Sequence, residues 1–386
     1  MDYRRAMWVF GLLTVFAAIS DRILFVIFPN YLLDRNFSAT EIGLVFSLSS
    51  LALLILTTYI GKLSDRVGRK GILSLGLLVQ AVSTPLFPFA SRLAEFALIR
   101  VFRDIGLTMA TSVKDALTAD VFPRSVRPRM FSRLGSLVPF GRALATIVGF
   151  LVVTYLSLEW GFYTAAVFIF LGLLVFAAFF RENRAGRPPA GSHRMNKIKL
   201  SLREYSFNFK LLILVWMLVS VNYTISYYPA FFILARELGI TEGLLFLLLL
   251  AGNVISSIFT YFSGGWIEKH GREKMMAGSL LGFSLLTLSY ALAFSVLSFL
   301  VIMVGVSVFY YVWRVAFKVT LYDASKGSVR GEQMGFAKMI QGAGDMIGPL
   351  IGGFLIDTVS LDAAFYAAGI VGAAGFVLAL LLRKQS

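Results

Sequence analysis

The sequence contains no cysteine and only two histidines among its 386 residues. Without cysteine the chain can form no disulfide, no thiol nucleophile and no thiolate metal site. His193 and His270 lie far apart in polar segments, so we expect no metal site and no cofactor. Paired histidines and a nucleophile constellation are also missing, and the sequence therefore predicts a protein that is not an enzyme.

Charged residues are scarce as well. They make up 15% of the chain, against about 25% in a typical soluble protein. Hydrophobic residues reach 58%, phenylalanine alone occurs 36 times, and the mean hydropathy is +0.79. This balance indicates an integral membrane protein. The sequence shows no nucleotide-binding P-loop, which argues against direct use of ATP.

Long apolar runs are abundant. A membrane-crossing helix needs about 20 mostly apolar residues, and twelve runs meet this length. They are too continuously apolar for barrel strands, which alternate over about 10 residues. We therefore predict an all-α membrane protein with twelve transmembrane helices near residues 7–33, 41–61, 71–90, 94–118, 131–156, 160–180, 209–235, 241–264, 275–296, 298–321, 334–356 and 362–382.

The few charges are sorted by sign among the connections. Basic residues crowd alternate connections, such as 124–133 and 181–210, while acids such as Glu159 and Asp357 prevail in the others. The positive-inside rule places the basic connections and both termini in the cytoplasm of a multi-pass cell-membrane protein. The net charge of +15 then reflects topology and contact with anionic lipids at the cytoplasmic face. We expect no nucleic-acid partner.

The second half of the chain repeats the first at a constant offset of 203 residues. Gly61 falls on Gly264 and Asp120 on Asp323, and such matches of polar residues and glycines are rarer by chance than apolar ones. Duplication of six helices gives two pseudo-symmetric six-helix bundles of the same orientation. The predicted domains are an N-terminal lobe at 1–180, a cytoplasmic linker at 181–208 and a C-terminal lobe at 209–386.

Two short segments carry a family resemblance. "GKLSDRVGRK" at 61–70 resembles the signature loop of the major facilitator superfamily, and "GGWIEKHGREK" at 264–274 resembles its weaker second copy. The twelve runs and the long central connection agree with that family, so the resemblance covers nearly the whole chain. It implies a secondary transporter that binds substrate between two lobes and works by alternating access. We also expect a monomer.

The charges of these loops suit a latch that can open. An acid contributes little to topology, so Asp65 is expected near the N-terminus of a neighbouring helix, where the dipole favours a carboxylate. Arg69 can pair with Asp120, and such boundary pairs are weak enough to break during transport. For Lys62 and Lys70 the simpler role of topology anchor is favoured. The predicted latch comprises Gly61, Asp65, Arg66, Gly68, Arg69, Asp120, Gly264, Glu268, Gly271, Arg272 and Asp323.

Ionisable residues inside the predicted spans are costly in lipid and usually functional. The fourth and tenth spans each carry a polar stripe at helical spacing, and in the family these two helices line the central cavity. Carboxyl groups are the candidates to carry protons, Asp104 and Asp21 before the others. The predicted proton-coupling residues are Asp104, Asp21, Asp115 and Asp345. The predicted substrate-binding residues are Arg103, Arg142, Arg314, Lys318, Asn222, Tyr223, Tyr227 and Tyr311.

Plainer roles for some of these residues stay open. Buried charges can form static pairs that fix helix packing. Arg142 and Asp345, which the 203-residue offset places at equivalent positions, are candidates for that role. Lys114 and Asp115 lie close enough to the cytoplasm to be ordinary interface residues.

The deepest charged positions comprise five bases and three acids, a balance that suits an anionic or zwitterionic substrate. Drug–proton antiporters of the superfamily typically carry G-x-x-x-G-P-x-x-G-G in the fifth span, whereas here "GDMIGPLIGG" lies in the eleventh. The leading interpretation is proton-coupled export of a small amphipathic or anionic organic molecule. The alternatives are a multidrug-type cation/proton antiporter, or a receptor of the same fold that binds without transport. The sequence leaves open the substrate and the direction of transport.

Overall fold

The computed structural model describes residues 3–122, 127–180, 205–325 and 330–382, and these residues form helices and turns only. The α-helices are α1 Tyr3–Asp34, α2 Ala39–Val67, α3 Arg69–Ser83, α4 Leu93–Val121, α5 Arg127–Tyr155, α6 Leu158–Phe179, α7 Phe207–Ile225, α8 Phe231–Glu237, α9 Glu242–His270, α10 Arg272–Ser289, α11 Val296–Ala324, α12 Arg330–Thr358 and α13 Leu361–Leu380. The all-helical fold predicted from the apolar runs is confirmed.

Eleven helical stretches in the described part of the chain are long and apolar enough to cross a membrane. The predicted fourth span is present as α4, which is 29 residues long. Charged residues such as Arg100, Arg103 and Asp104 interrupt the apolar sequence of α4. α4 is therefore long enough to cross a membrane, but its charged residues keep it out of the eleven apolar stretches.

The predicted seventh span is present as one stretch, Phe207–Glu237, in which a turn at Ser226–Ala230 separates α7 from α8. After α7, Tyr228 has extended backbone angles, φ −137° and ψ 107°, and α8 starts three residues later. Pro229 follows directly and offers no backbone N–H for a helical hydrogen bond. The run is apolar on average, and a hydropathy average over its whole length does not show this break.

Serine side chains mark the starts of several helices. The Ser206 hydroxyl accepts a hydrogen bond from the backbone N–H of Phe209 at the start of α7, at 3.2 Å. The Ser360 hydroxyl accepts one from Ala363 at the start of α13, at 3.1 Å. Each contact satisfies one of the N–H groups that the first turn of a helix leaves without a partner.

The helices group into two compact units. Unit 1 comprises Met1–Arg35, Ala52–Met195 and Glu242–Leu247. Unit 2 comprises Asn36–Leu51, Asn196–Thr241 and Leu248–Ser386. The lobe boundaries inferred from the sequence stay a prediction, and most of the predicted linker, 181–204, lies outside the described residues.

The same helix pairs pack in both units. In unit 1 the most extensive contacts join α1 to α6, α3 to α4, α1 to α5 and α3 to α6. In unit 2 they join α7 to α13, α10 to α11, α7 to α12 and α10 to α13. A shift of 203 residues turns each pair of unit 1 into its counterpart in unit 2. The packing therefore agrees with the internal duplication predicted from the sequence.

Glycines allow a very close helix crossing in unit 1. Gly76 of α3 and Gly106 of α4 face each other, and a Cβ on Gly76 would lie 2.7 Å from the Gly106 carbonyl oxygen. A Cβ on Gly106 would in turn lie 2.7 Å from the Gly76 carbonyl oxygen. Both separations are too short for a real Cβ, so this crossing sets how closely α4 approaches α3.

The glycine-rich segment at 344–353 lets two faces of α12 pack closely, one against α7 and the other against the start of α2. A Cβ on Gly344 or Gly352 would press on backbone carbonyl oxygens of α7, at 2.7 and 3.0 Å. Gly353 instead faces the start of α2 at Ala39. One turn later, Asp357 accepts hydrogen bonds from the N–H of Ala39, at 3.1 Å, and of the next residue, at 2.7 Å. A carboxylate at a helix N-terminus complements the helix dipole.

Candidate functional site

Four charged side chains of α1 and α4 meet inside unit 1. Arg103 donates to Asp21 at 2.6 Å and to Asp104 at 2.8 Å. Arg100 donates to the second oxygen of Asp104 at 2.8 Å. These residues, Asp21, Arg100, Arg103 and Asp104, are called the charge cluster below. It forms one continuous chain of ion pairs, from Arg100 through Asp104 and Arg103 to Asp21.

Burial differs sharply within the charge cluster. The side chains of Arg103 and Asp104 are 5% and 7% exposed, while that of Asp21 is 41% exposed. Helical spacing puts Arg100 and Asp104 one turn apart on α4, so they share a face. The guanidinium of Arg100 also lies 4.8 Å above the ring of Phe28, which is fully buried. The cluster thus has a buried centre at Arg103 and Asp104 and a partly open end at Asp21.

Two bases and two acids make the charge cluster electrically balanced. Breaking a buried ion pair by removing one partner leaves an uncompensated charge and costs about 3–5 kcal/mol. A proton on either carboxylate neutralises that acid and leaves an arginine in excess. Protonation therefore has to be accompanied by a rearrangement of the arginines or by the arrival of another negative charge.

The fourth predicted proton carrier, Asp345, lies on α12 in unit 2. Gln341, one turn earlier, donates to its carboxylate at 2.9 Å, and the Ser220 hydroxyl of α7 makes a short hydrogen bond to it. Both donors are neutral, which distinguishes Asp345 from the carboxylates of the charge cluster. Arg142, its counterpart at the 203-residue offset, lies half-buried on α5 in unit 1.

Asp115 is exposed about three turns beyond the charge cluster on α4. Its neighbour Lys114 donates to the Thr14 hydroxyl of α1 at 3.3 Å. Asp115 thus fits the role of interface residue that the sequence left open, whereas Lys114 is half-buried and close enough to Asp21 for the charge of that carboxylate to act on it.

The predicted tyrosines of unit 2 lie in a stack of aromatic rings. Tyr223 stacks on Tyr227 with ring centroids 4.5 Å apart, and on Tyr310 with centroids 5.1 Å apart. Tyr311 meets the Tyr310 ring edge-on at 5.7 Å. These four residues are called the tyrosine stack below, and Tyr310 is the member that the sequence did not single out.

The other predicted substrate residues of unit 2 differ in burial. Asn222 is completely buried, its amide nitrogen lies beside Gly372 of α13, and its side-chain oxygen accepts from Thr287 of α10 at 3.5 Å. That position favours packing within the unit over contact with substrate. Arg314 and Lys318, in contrast, are exposed on α11.

The predicted latch is described in full only in its second copy. Arg272 at the start of α10 pairs with Asp323 at the end of α11, and both side chains are 42% exposed. Gly68 and Gly271 have φ angles of 118° and 85°, a region that favours glycine, and each joins two helices through a single residue. Gly264 and Glu268 are exposed at the end of α9, and Arg69 is half-buried. The surroundings of Gly61, Asp65, Arg66 and Asp120 lie outside what the structure describes.

Lys70 has a role that its sequence context did not reveal. Its ammonium donates to the carbonyl oxygens of Ala177 and Phe180 at 3.1 and 2.6 Å. These carbonyls lie at the end of α6, where the last turn of a helix has acceptors to spare and a cation is favoured. Lys70 therefore caps α6 in addition to any contribution to topology.

Removing the Arg272–Asp323 pair tests the latch. We expect Asp323→Asn to slow turnover severalfold, while the free energy of unfolding changes by less than about 1 kcal/mol because exposed ion pairs are weak. The measurement is transport in proteoliposomes together with the melting temperature of the purified variant. Exchanging the two charges, in Arg272→Asp with Asp323→Arg, is expected to restore part of the rate. Wild-type turnover in Asp323→Asn would rule out a latch at this pair.

Comparison with known proteins agrees with this architecture. The family model described as "Major Facilitator Superfamily" matches residues 10–230 and 211–386. The quinolone resistance protein NorA of Staphylococcus aureus is 24% identical over 403 aligned positions, which cover 97% of this chain and 95% of NorA. The gentisate transporter of Corynebacterium glutamicum is 24% identical over 367 positions, with 91% and 81% covered.

Solved structures show the same fold. The nucleoside transporter NupG superposes with a TM-score of 0.77 at 13% identity, covering 97% of both chains. A D-xylose-proton symporter superposes with a TM-score of 0.77 at 18% identity, covering 98% of this chain and 97% of the symporter. The family model spans nearly the whole sequence, and this multi-pass membrane chain belongs to the Major Facilitator Superfamily.

Proposed function

We propose that this protein is a secondary active transporter that exports a small amphipathic or anionic organic molecule in exchange for protons. The observation that carries the proposal is the charge cluster, in which two carboxylates share the buried guanidinium of Arg103. The gentisate transporter, NupG and the D-xylose-proton symporter are all transporters by name. Resistance in the name of NorA supports export, and the name of the D-xylose-proton symporter supports proton coupling.

The two carboxylates divide the work of proton binding. Asp21 pairs with Arg103 and is partly open, so it is the group that water reaches first. A proton on Asp21 weakens its hydrogen bond to Arg103 and lets that guanidinium turn wholly to Asp104. Release of the proton restores the bridge between α1 and α4. The cluster thereby has two arrangements that differ by one proton, and each can favour a different state of the transport cycle.

The remaining features of the proposal follow from the sequence. Both termini lie in the cytoplasm, since the basic connections belong on that side. The protein works as a monomer, and its basic loops contact anionic lipids. The first latch loop, with Gly61, Asp65 and Arg66, restrains the cycle as the Arg272–Asp323 pair does.

Transport by the purified protein in proteoliposomes tests the proposal. An imposed pH gradient is expected to drive movement of gentisate or of a quinolone, compounds named in two relatives, and an ionophore that collapses the gradient is expected to stop it. Movement of ethidium alone would support the multidrug-type cation antiporter. Measurable binding of any of these compounds without movement would support the receptor. Empty liposomes are the control for passive entry.

A further inference from the structure

Three basic side chains of unit 2 lie together on α11 and α12. Arg314 and Lys318 are one turn apart on α11, and their side chains are exposed. Lys338 of α12 completes the group, because Arg314 and Lys338 are the charged neighbours that act on Lys318. These three residues are called the basic trio. Lys338 was not among the residues that the sequence singled out.

The basic trio differs from the charge cluster in its lack of acids. Within the described residues, no carboxylate acts on Lys318, and none of the three side chains makes a hydrogen bond or an ion pair. Arg100 and Arg103, in contrast, each pair with an acid. Like charges held together without a counter-charge repel one another, and at membrane depth that arrangement is costly. The missing counter-charge points to a ligand that brings it.

Lys318 and Lys338 lie at similar depths in their helices, and Arg314 lies one turn deeper. Lys318 precedes the end of α11 by six residues, and Lys338 follows the start of α12 by eight. At 1.5 Å per residue these positions are about 9 and 12 Å from ends that face the same side of the membrane. Within the predicted spans, which end at 321 and begin at 334, Lys318 and Lys338 lie about one turn from the apolar limit, and Arg314 lies one turn deeper.

Aromatic rings lie next to the basic trio on the same helix. Tyr310 and Tyr311 precede Arg314 by four and three residues, so both lie one turn away from it. Through Tyr310 the rings continue to Tyr223 and Tyr227 of α7. Tyr223, Tyr310 and Tyr311 are only half-buried, so part of each ring is accessible to a ligand. Flat apolar surface next to unpaired positive charge suits an aromatic molecule that carries an anionic group.

We propose that the basic trio binds the carboxylate, sulfonate or phosphate group of an aromatic substrate whose rings contact the tyrosine stack. The proposal rests on the proposed transport function and names its substrate class. It also separates two tasks that the sequence left mixed: the arginines of the charge cluster balance the proton-carrying acids, and the bases of unit 2 bind the substrate.

Equilibrium binding tests the site without any transport. The protein is placed in nanodiscs of phosphatidylcholine alone, and binding of 2-naphthoate is compared by calorimetry with binding of its uncharged amide. We expect naphthoate to bind at least about tenfold more tightly than the amide, since a charge-assisted contact is worth that factor. Equal binding of the two compounds, or no binding of naphthoate, overturns the proposal.

Variants then assign the preference to the basic trio. Lys318→Gln with Lys338→Gln is expected to lower naphthoate affinity about tenfold or more and to leave amide binding unchanged. Lys274→Gln, an exposed lysine of α10, is the matched control and is expected to bind as wild type. Because removal of like charges relieves repulsion, the double variant is expected to melt no lower than wild type without ligand. A lower melting temperature with unchanged naphthoate affinity would assign the trio a structural role and overturn the proposal.

The headgroup of an anionic lipid could also supply the negative group that binds to the basic trio. In nanodiscs that contain phosphatidylglycerol, we expect naphthoate affinity to remain within about twofold of its value in phosphatidylcholine. Loss of naphthoate binding there, with phosphatidylglycerol retained by wild type and released by the double variant in native mass spectrometry, would assign the trio to a lipid headgroup. Binding needs no pH gradient, so a failure of proton-driven transport leaves this result intact. Conversely, full transport by the double variant would overturn this site and leave the transport proposal standing.

Discussion

Asp104→Asn is expected to abolish transport driven by a pH gradient while exchange of substrate across the membrane survives. Asp104 accepts from both Arg100 and Arg103, so its buried carboxylate joins the two arginines of the charge cluster. Asparagine keeps the shape of the side chain but carries no charge, so it can neither take up Arg103 when Asp21 is protonated nor bind a proton itself. The measurement uses proteoliposomes that contain wild type or Asp104→Asn. Substrate efflux driven by a pH gradient and substrate counterflow are measured in parallel, which separates coupled transport from exchange.

The same substitution leaves an extra buried positive charge, which can destabilise the fold by about 3–5 kcal/mol. A charge-balanced variant, Asp104→Asn with Arg100→Gln, removes this penalty and is expected to fold better while remaining uncoupled. Asp362→Asn, at an exposed acid in the first turn of α13, is the control for loss of any carboxylate. Gradient-driven transport at the wild-type rate in the balanced variant would exclude Asp104 as a proton carrier.

Gly76→Leu is expected to have the largest effect on stability. Even a Cβ at this position would lie 2.7 Å from the Gly106 carbonyl oxygen and 2.8 Å from the Ala110 nitrogen, both on α4. Backbone atoms cannot turn aside as a side chain can, so α3 and α4 must separate. Overpacking of this kind typically costs about 1–3 kcal/mol and more where the backbone must move. We expect a steep loss of monodisperse protein and a clearly lower melting temperature.

The matched control for this prediction lies on the same helix. Gly71 of α3 is exposed, and a Cβ there meets no atom within 4 Å. Since leucine favours a helix over glycine by somewhat under about 1 kcal/mol, Gly71→Leu is expected to melt at or slightly above the wild-type temperature. Equal melting temperatures for the two leucine variants would contradict the close crossing of α3 and α4.

The fold was predictable because its main determinant is local. Long apolar runs indicate membrane helices, and the 203-residue offset indicates the repeat that the helix pairs then reproduce. The ends were less accurate: α4 continues to Val121 and α5 begins at Arg127, past the apolar limits of the runs. Hydropathy marks the part of a helix that lies in lipid, whereas the backbone continues as a helix into the polar boundary. The break at Tyr228 was missed although Pro229 follows it, because a hydropathy average over the whole run does not resolve a single turn.

The candidate site was predictable in its residue types and less so in its contacts. Helical spacing placed Arg103 and Asp104 on a polar stripe, but it could not show that Asp21, 82 residues earlier, reaches the same guanidinium. Likewise, Lys338 belongs with Lys318 only because α12 packs where it does. Neither contact leaves a periodic signal, because each depends on tertiary packing. Asn222 shows the opposite case: its polar side chain suggested a ligand contact, and the packing of α10 and α13 buries it completely.

Proton release on substrate binding tests most directly whether the charge cluster carries the coupling proton. Wild-type protein in lightly buffered detergent receives gentisate or a quinolone, whichever moves in proteoliposomes, and a pH indicator reports the change. We expect proton release from wild type and none from a variant with both Asp21→Asn and Asp104→Asn. Undiminished release from that variant, or substrate binding to wild type with no release at all, would contradict proton binding by these two carboxylates.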